Sequence, residues 1–149
     1  MPKLNELDDR MNEFVDSIRY LTSEISEKNS EIRSSQETLN ELREQNLVTP
    51  ELEQTFSRAE QKYLDEKAEL EKKRETIMDT ATRELNDAKK EYNKAIDNVN
   101  RTGGSQAAEM LSSIRERVVE IGNWEKELQD ALNDGDDDHP TIKRLIHRR

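Results

Sequence analysis

The side chains that most often carry catalysis or metal binding are scarce in this chain. It contains no cysteine, and its two histidines are His139 and His147. The missing cysteines exclude disulfides, thiolate nucleophiles and thiolate metal sites. The two histidines do not flank a carboxylate at helical spacing, and the chain contains no glycine-rich phosphate loop. We therefore predict no catalytic residue, no metal site and no cofactor.

Serines are numerous in the N-terminal third, but none has a histidine nearby to act as its base. We interpret this set as part of a solvated helix face: Ser17, Ser23, Ser26, Ser30, Ser34 and Ser35.

An aspartate run near the C-terminus resembles the first half of a calcium-binding loop. Its carboxylates are Asp134, Asp136 and Asp138, but His139 stands where a glycine should turn the loop. Leu145 occupies the position of the bidentate glutamate. We interpret the run as a solvated linker and not as a metal site.

Composition and charge limit the class of protein. Of 149 residues, 31% are hydrophobic and 39% are charged, and the net charge is −10. This balance suits one domain of long, thin helices better than a thick globular core. The acidic surface repels phosphate backbones, so the body of the protein is not expected to bind nucleic acid. No signal peptide or transmembrane run is evident, and a cytoplasmic location is expected.

A seven-residue repeat runs without interruption from residue 4 to residue 42 and predicts one long helix with a narrow hydrophobic seam. One set of core positions is wholly apolar: Leu4, Met11, Ile18, Ile25, Ile32 and Leu39. The other set departs from this pattern only at Lys28 and Ser35: Leu7, Phe14, Leu21, Lys28, Ser35 and Leu42. A seam of this width requires partner helices.

Proline and glycine mark the ends of three predicted helices, at about 3–46, 50–100 and 105–133. Thr49 is a good N-cap before Pro50, and Ser105 is expected to cap the third helix. Because the connections are short, sequential helices should be antiparallel.

Folding the chain at residues 48–49 brings small side chains opposite large ones. Ser35 then faces Tyr63, and Leu39 faces Ala59. The shorter third helix reaches back only to about residue 74. The predicted fold is all-α, an antiparallel coiled-coil bundle of three helices. A two-helix arm (25–73) extends from a three-helix head (3–24, 74–100 and 105–133). Residues 1–133 form this domain, and 134–149 form an acidic linker and a short basic tail.

Two features of the predicted domain are candidates for partner binding. Trp124 follows Gly122, so either Gly122 permits close helix approach while Trp124 covers the edge of the head, or Trp124 is an exposed interface anchor. Leu47 and Val48 at the arm tip either pack back onto the hairpin or contact a partner.

The basic tail is a third candidate. Ile142, Leu145 and Ile146 would share one face of a short helix, surrounded by basic side chains. Those basic side chains are Lys143, Arg144, Arg148 and Arg149. The tail either folds back onto the acidic body or docks as an amphipathic helix on an acidic partner or an anionic surface.

These features predict a non-enzymatic coiled-coil protein that mediates protein–protein contacts, as an assembly scaffold, adaptor or chaperone-like spacer. Its partners would be proteins, including a second copy of itself as a dimer, and no small-molecule substrate is expected. The alternative is a peripheral tether to an anionic membrane or nucleic acid through the basic C-terminal tail. Salt distinguishes the two, because electrostatic docking weakens with ionic strength and apolar helix contacts hardly do.

Overall fold

A computed structural model describes residues 4–133, and over this range the chain forms three α-helices and no strand. The helices are α1 (Leu4–Glu44), α2 (Pro50–Thr102) and α3 (Ala107–Asn133), and they pack against each other. The predicted all-helical architecture of three helices is confirmed. Residues 134–149, with the linker and the tail, lie outside the described range.

The turn between α1 and α2 is built from one left-handed residue and one N-cap. Asn46 has φ 58°, a conformation that asparagine tolerates better than most residues. The Leu47 amide donates to the Leu42 carbonyl at 2.9 Å, which closes the end of α1 two residues before the expected position. Thr49 Oγ1 accepts a hydrogen bond from the Leu52 amide at 3.1 Å, so the predicted N-cap is confirmed.

Two glycines end α2. The helix continues two residues beyond the expected boundary, to Thr102, and the Gly103 amide still donates to the Val99 carbonyl at 2.9 Å. Gly103 and Gly104 then have φ of 56° and 115°. Most side chains disfavour these angles, so the glycines allow the chain to leave the helix at this point.

The predicted cap of α3 at Ser105 is wrong. The Gln106 carbonyl accepts the first helical hydrogen bond, from the Met110 amide at 3.1 Å, and α3 begins at Ala107. Gln106 therefore occupies the N-cap position. The expectation favoured the hydroxyl at 105, but residues 105 and 106 form a turn before the helix starts.

The described chain divides into two compact units. Unit 1 comprises 4–18 and 76–132, and unit 2 comprises 19–75. Both α1 and α2 contribute to each unit, whereas α3 belongs to unit 1 up to residue 132.

The core of unit 1 draws on all three helices. Met11 and Ile18 from α1 and Leu85 from α2 are completely buried, and Leu128 from α3 is 1% exposed. The rest of this core shares their low exposure: Leu7, Val15, Ala81, Ala88, Tyr92, Ile121 and Ala131. Leu7, Met11 and Ile18, three of the heptad positions of α1 in unit 1, are thus buried.

Unit 2 has two antiparallel helices. Contacts between them pair high numbers of α1 with low numbers of α2, as in Arg43 to Glu53 at 2.8 Å and Gln36 to Glu60 at 3.2 Å. In the first turns of α1 within unit 2, Leu21 and Ile25 are still buried. Beyond them the α1 seam is half-buried, at Ile32, Ser35, Leu39 and Leu42. The matching positions of α2 are half-buried too, at Leu52, Phe56, Ala59, Tyr63 and Leu70.

Candidate functional site

Unit 2 contains a groove of about 550 Å³ between α1 and α2, here called the Phe56–Tyr63 groove. Phe56, Ala59 and Tyr63 of α2 supply its apolar floor. Hydroxyl side chains form much of the remaining wall: Ser30, Ser34, Ser35, Thr38 and Thr55. Glu27 and Glu31 are the charged residues that line it. Its chemistry is therefore mostly that of small hydroxyls beside aromatic rings.

The hydroxyls of the groove are partly satisfied by their own helices. Thr38 Oγ1 donates to the Ser34 carbonyl at 2.9 Å, and Thr55 Oγ1 donates to the Glu51 carbonyl at 3.0 Å. A hydroxyl that bonds the carbonyl four residues earlier has its donor occupied. A partner could cover these two hydroxyls without leaving an unsatisfied donor, which would be costly.

Lys28 lies beside the groove at one of the polar positions of the seam. Its Nζ contacts Glu66 Oε1 at 3.0 Å and Glu31 Oε1 at 3.3 Å, and it lies 5.9 Å from the centroid of the Tyr63 ring. The hydrogen bond that Lys28 donates to Glu66 is the largest cause that raises the pKa of Lys28. Two polar interruptions of the hydrophobic pattern, Lys28 and Glu66, thus pair with each other across the two helices.

The serine face is only partly solvated, which corrects the expectation for three of its members. Ser26 is buried at 8% exposure, and Ser30 and Ser35 are half-buried. Ser34 is exposed, as expected for a solvated position.

Leu47 and Val48, the two apolar residues of the α1–α2 turn, differ in exposure. Leu47 is 56% exposed, and Val48 is half-buried. Leu47 therefore presents apolar surface at the α1–α2 turn, whereas part of Val48 is covered. A contact of this pair with a partner stays a prediction.

Trp124 belongs to the packing of unit 1. Its ring packs partly buried against the core, and Nε1 donates a hydrogen bond to Asp8 Oδ1 at 2.9 Å. A shallow pocket of about 280 Å³ beside it is lined by Asp8, Asn12, Glu120, Asn123, Trp124 and Glu127. The bond ties α3 to α1 and favours the edge-covering interpretation. An interface role for Trp124 stays a prediction.

Gly122 does not allow a close helix approach, which corrects that part of the expectation. A Cβ atom built at this position meets nothing within 4 Å, and the residue is exposed. The structure gives no packing reason for a glycine here.

Arg10 and Glu84 form an ion pair between α1 and α2 in unit 1. Arg10 Nε donates to Glu84 Oε1 at 2.6 Å, and a second guanidinium nitrogen bonds Oε2, so the pair is bidentate. The hydrogen bond from Arg10 lowers the pKa of Glu84, while partial burial opposes it. The guanidinium also lies 5.4 Å from the centroid of the Phe14 ring. This arrangement fixes side chains at the edge of the core and stabilises the fold.

The tail candidates Ile142, Lys143, Arg144, Leu145, Ile146, Arg148 and Arg149 lie outside the described residues. Within residues 4–133, no group of three or more acidic, histidine or cysteine side chains is placed to hold a metal ion. The same part of the chain has no helix that combines the length and apolarity of a membrane span.

Comparison of the chain with protein-family models, curated proteins and solved structures finds no match.

The sequence did not single out the Phe56–Tyr63 groove. The available signal was the serine at heptad position 35 opposite Tyr63, since a small side chain in a two-helix seam leaves a concavity beside the large one.

Proposed function

We propose that the chain is a non-enzymatic coiled-coil protein that works through protein–protein contacts, with unit 2 as its contact surface. The observation that carries this proposal is the change in burial along the α1 seam. Met11 and Ile18 are 0% exposed in unit 1 and Ile25 is 6% exposed, whereas Ile32 and Leu39 are only half-buried. Unit 2 contains all the residues predicted for the arm, and unit 1 contains most of those predicted for the head.

The half-buried seam supports the existence of a binding partner. The heptad pattern of α1 continues into unit 2, whereas α3 belongs to unit 1 up to residue 132. Ile32 and Leu39 are as apolar as Met11 and Ile18 and hold the same heptad position. A two-helix hairpin covers each of them on one side only. A further helix packed against the uncovered side of these residues would enclose them, as α3 helps to enclose the core of unit 1.

The chemistry of the groove also favours a helix over a small ligand. Its walls are hydroxyls and aromatic rings without a convergent set of charged groups aimed at one point, and the groove is open along the hairpin. Small-molecule sites usually enclose most of their ligand. A long shallow groove with small side chains accepts the ridge of a neighbouring helix.

The proposed function is tested by photo-crosslinking the full chain in cells that express it. A photoreactive side chain is placed at Thr55, which is exposed and lines the groove, and at Ser57 on the same helix as the matched control outside the groove. We expect protein adducts from position 55 in clear excess over position 57. Equal adducts from both positions, or none from either, would contradict the proposal.

The alternative function, a tether through the basic tail, depends on residues beyond 133 and stays a prediction. The dependence of binding on salt concentration distinguishes a contact through the tail from a contact through the Phe56–Tyr63 groove. Contacts through the tail should weaken steeply between low and physiological ionic strength, whereas apolar contacts in the groove should change little.

A further inference from the structure

We infer that residues 134–146, which follow α3 and lie outside the described range, dock on their own chain against one face of α1. Thr22 and Ser26 mark this face, here called the Thr22–Ser26 face. Three observations carry the inference: the burial of two polar side chains, the position where α3 ends, and the charges of the face and of the segment. The inference does not depend on the proposed function, because other residues of α1 line the Phe56–Tyr63 groove.

The Thr22–Ser26 face is buried although it lies beside the hydrophobic seam. Thr22 and Ser26 are 3% and 8% exposed, and within residues 6–133 they are the two polar residues that are buried. Each follows a seam residue, Leu21 or Ile25, by one position, so the two lie on the same side of the seam, one helical turn apart. Burial over a full turn indicates a cover longer than one side chain.

In the preceding turns α3 covers this same side of α1. Asp8, Val15 and Thr22 are spaced by seven residues and hold one heptad position. Asp8 accepts the hydrogen bond from Trp124, and Val15 is buried in the core cluster that includes Ala131. One heptad later Thr22 is buried to the same extent as Val15. The cover along this side of α1 therefore continues beyond the turns that these α3 contacts reach.

The segment after α3 starts close enough to provide this cover. α1 and α3 run in the same direction, because the chain reverses at both turns. Trp124 is level with Asp8, so Asn133, nine residues later, is level with about residue 17 of α1, and Ser26 lies about 14 Å further along that helix. A chain that advances roughly 1.5–3.3 Å per residue, from helix to extended strand, covers this distance in about four to nine residues. Residues 137–142 therefore reach the face.

The charges of the face fit the beginning of the segment. Arg19 precedes Ser26 by seven residues and so lies on the same side of α1, and Arg74 Nη1 of α2 donates to Thr22 Oγ1 at 3.1 Å. Two guanidinium groups thus border the face. The segment begins with four carboxylates, Asp134, Asp136, Asp137 and Asp138. Opposite charges favour docking of this part of the segment at this place.

Apolar residues of the segment extend the contact beyond the aspartates. Ile142, Leu145 and Ile146 follow them in the sequence. On α1 the next seam residue after the face is Ile32, which is half-buried. Covering its open side with these three side chains would remove apolar surface from water on both partners.

The contact should end before the basic C-terminus. Asn29, one heptad after Thr22, is half-buried, and Gln36, a further heptad on, is exposed, so the cover fades along α1. Arg33 lies between them and would repel the arginines that end the chain. A tail held in this way has to be released before it can act as a tether to a membrane or to nucleic acid.

Disulfide formation in the purified full chain tests the contact, because the chain has no cysteine of its own. Thr141→Cys is combined either with Asn29→Cys, at the heptad position of Thr22, or with Glu27→Cys, a control of similar height on the groove side of α1. Under mild oxidation we expect the pair with Asn29→Cys to close within one chain at least tenfold faster than the control pair. Both double variants should keep the helical circular dichroism of the wild type.

Two results would overturn the inference. Equal rates for the two pairs, or faster closure with Glu27→Cys, would mean that the segment does not cover the Thr22–Ser26 face. A disulfide-linked product of twice 17.4 kDa as the main product would mean that the segment docks on another copy.

Neutralising charge in two parts of the segment tests the electrostatic argument with the same cysteine pair. Closure of the pair with Asn29→Cys should slow at least threefold when the four aspartates are replaced: Asp134→Asn, Asp136→Asn, Asp137→Asn and Asp138→Asn. Replacing the terminal arginines, Arg148→Gln and Arg149→Gln, should leave the rate nearly unchanged. An equal effect of the two sets, or a larger effect of the arginines, would overturn the assignment of the aspartates to this face.

Discussion

Replacing Leu85 with alanine should cause a large loss of stability, because Leu85 lies at the centre of unit 1. Its side chain is 0% exposed, and its cluster includes residues from all three helices, such as Met11 and Ile121. The three helices that contribute to this cluster should hold open the cavity that the substitution leaves. A Leu→Ala change at such a site costs about 3–4 kcal/mol. For a chain of this length the melting temperature should fall by about 6–16 °C.

Leu64→Ala is the matched control on the same helix. Leu64 is 39% exposed, so the same change should cost less than about 1 kcal/mol. Thermal melting followed by circular dichroism, with guanidinium unfolding as the second measurement, compares the two variants. Equal losses for Leu85→Ala and Leu64→Ala would refute the assignment of the unit 1 core.

Three further changes test single contacts. Trp124→Phe removes both the donor to Asp8 and part of the packed indole, and its cost should be about 1 kcal/mol smaller in a background that already carries Asp8→Ala, where the hydrogen bond is absent. Arg10 lowers the pKa of Glu84, so the ionised pair stabilises the fold above the usual carboxyl pKa of about 4.3, and this stabilisation disappears as pH falls through the lowered value. The difference in melting temperature between wild type and Glu84→Gln should therefore be greatest near neutral pH and should disappear at acidic pH. A difference that stays constant with pH would contradict the ion-pair argument. Thr49→Ala removes the N-cap of α2 and should cost about 1 kcal/mol in urea unfolding, whereas Thr49→Ser should cost little.

The sequence predicted the helices well because their signals are local. A heptad repeat defines the buried face of α1 without reference to any other helix, and Thr49 before Pro50 marks the start of α2 by its own hydrogen bond. The prediction of the α3 cap was wrong because it, too, relied on a local signal. Ser105 has the better capping side chain, but the glycines before it set the chain direction, and the helix starts after Gln106.

Interactions between helices were harder to predict, because they depend on register and side-chain reach. The repeat showed that Lys28 interrupts the hydrophobic pattern, but only the three-dimensional arrangement shows that it bonds Glu66 at 3.0 Å. Ser26 was assigned to solvent because serine is polar, whereas the structure buries it. The Phe56–Tyr63 groove likewise depends on how far α1 and α2 separate at Ser35.

The mass of the full chain in solution tests the central proposal, that unit 2 completes its core with another protein surface, for the case in which that surface is a second copy of the chain. Interfaces of about 1,600 Å² in total have dissociation constants from micromolar to picomolar. Sedimentation equilibrium at tens of micromolar should therefore give a mass of twice 17.4 kDa, and this mass should return to that of one chain in the double variant Ile32→Glu/Tyr63→Glu, which places charges on the half-buried seam. A wild-type chain that remains a monomer at about 100 μM, well above the weakest of these constants, would contradict the dimer.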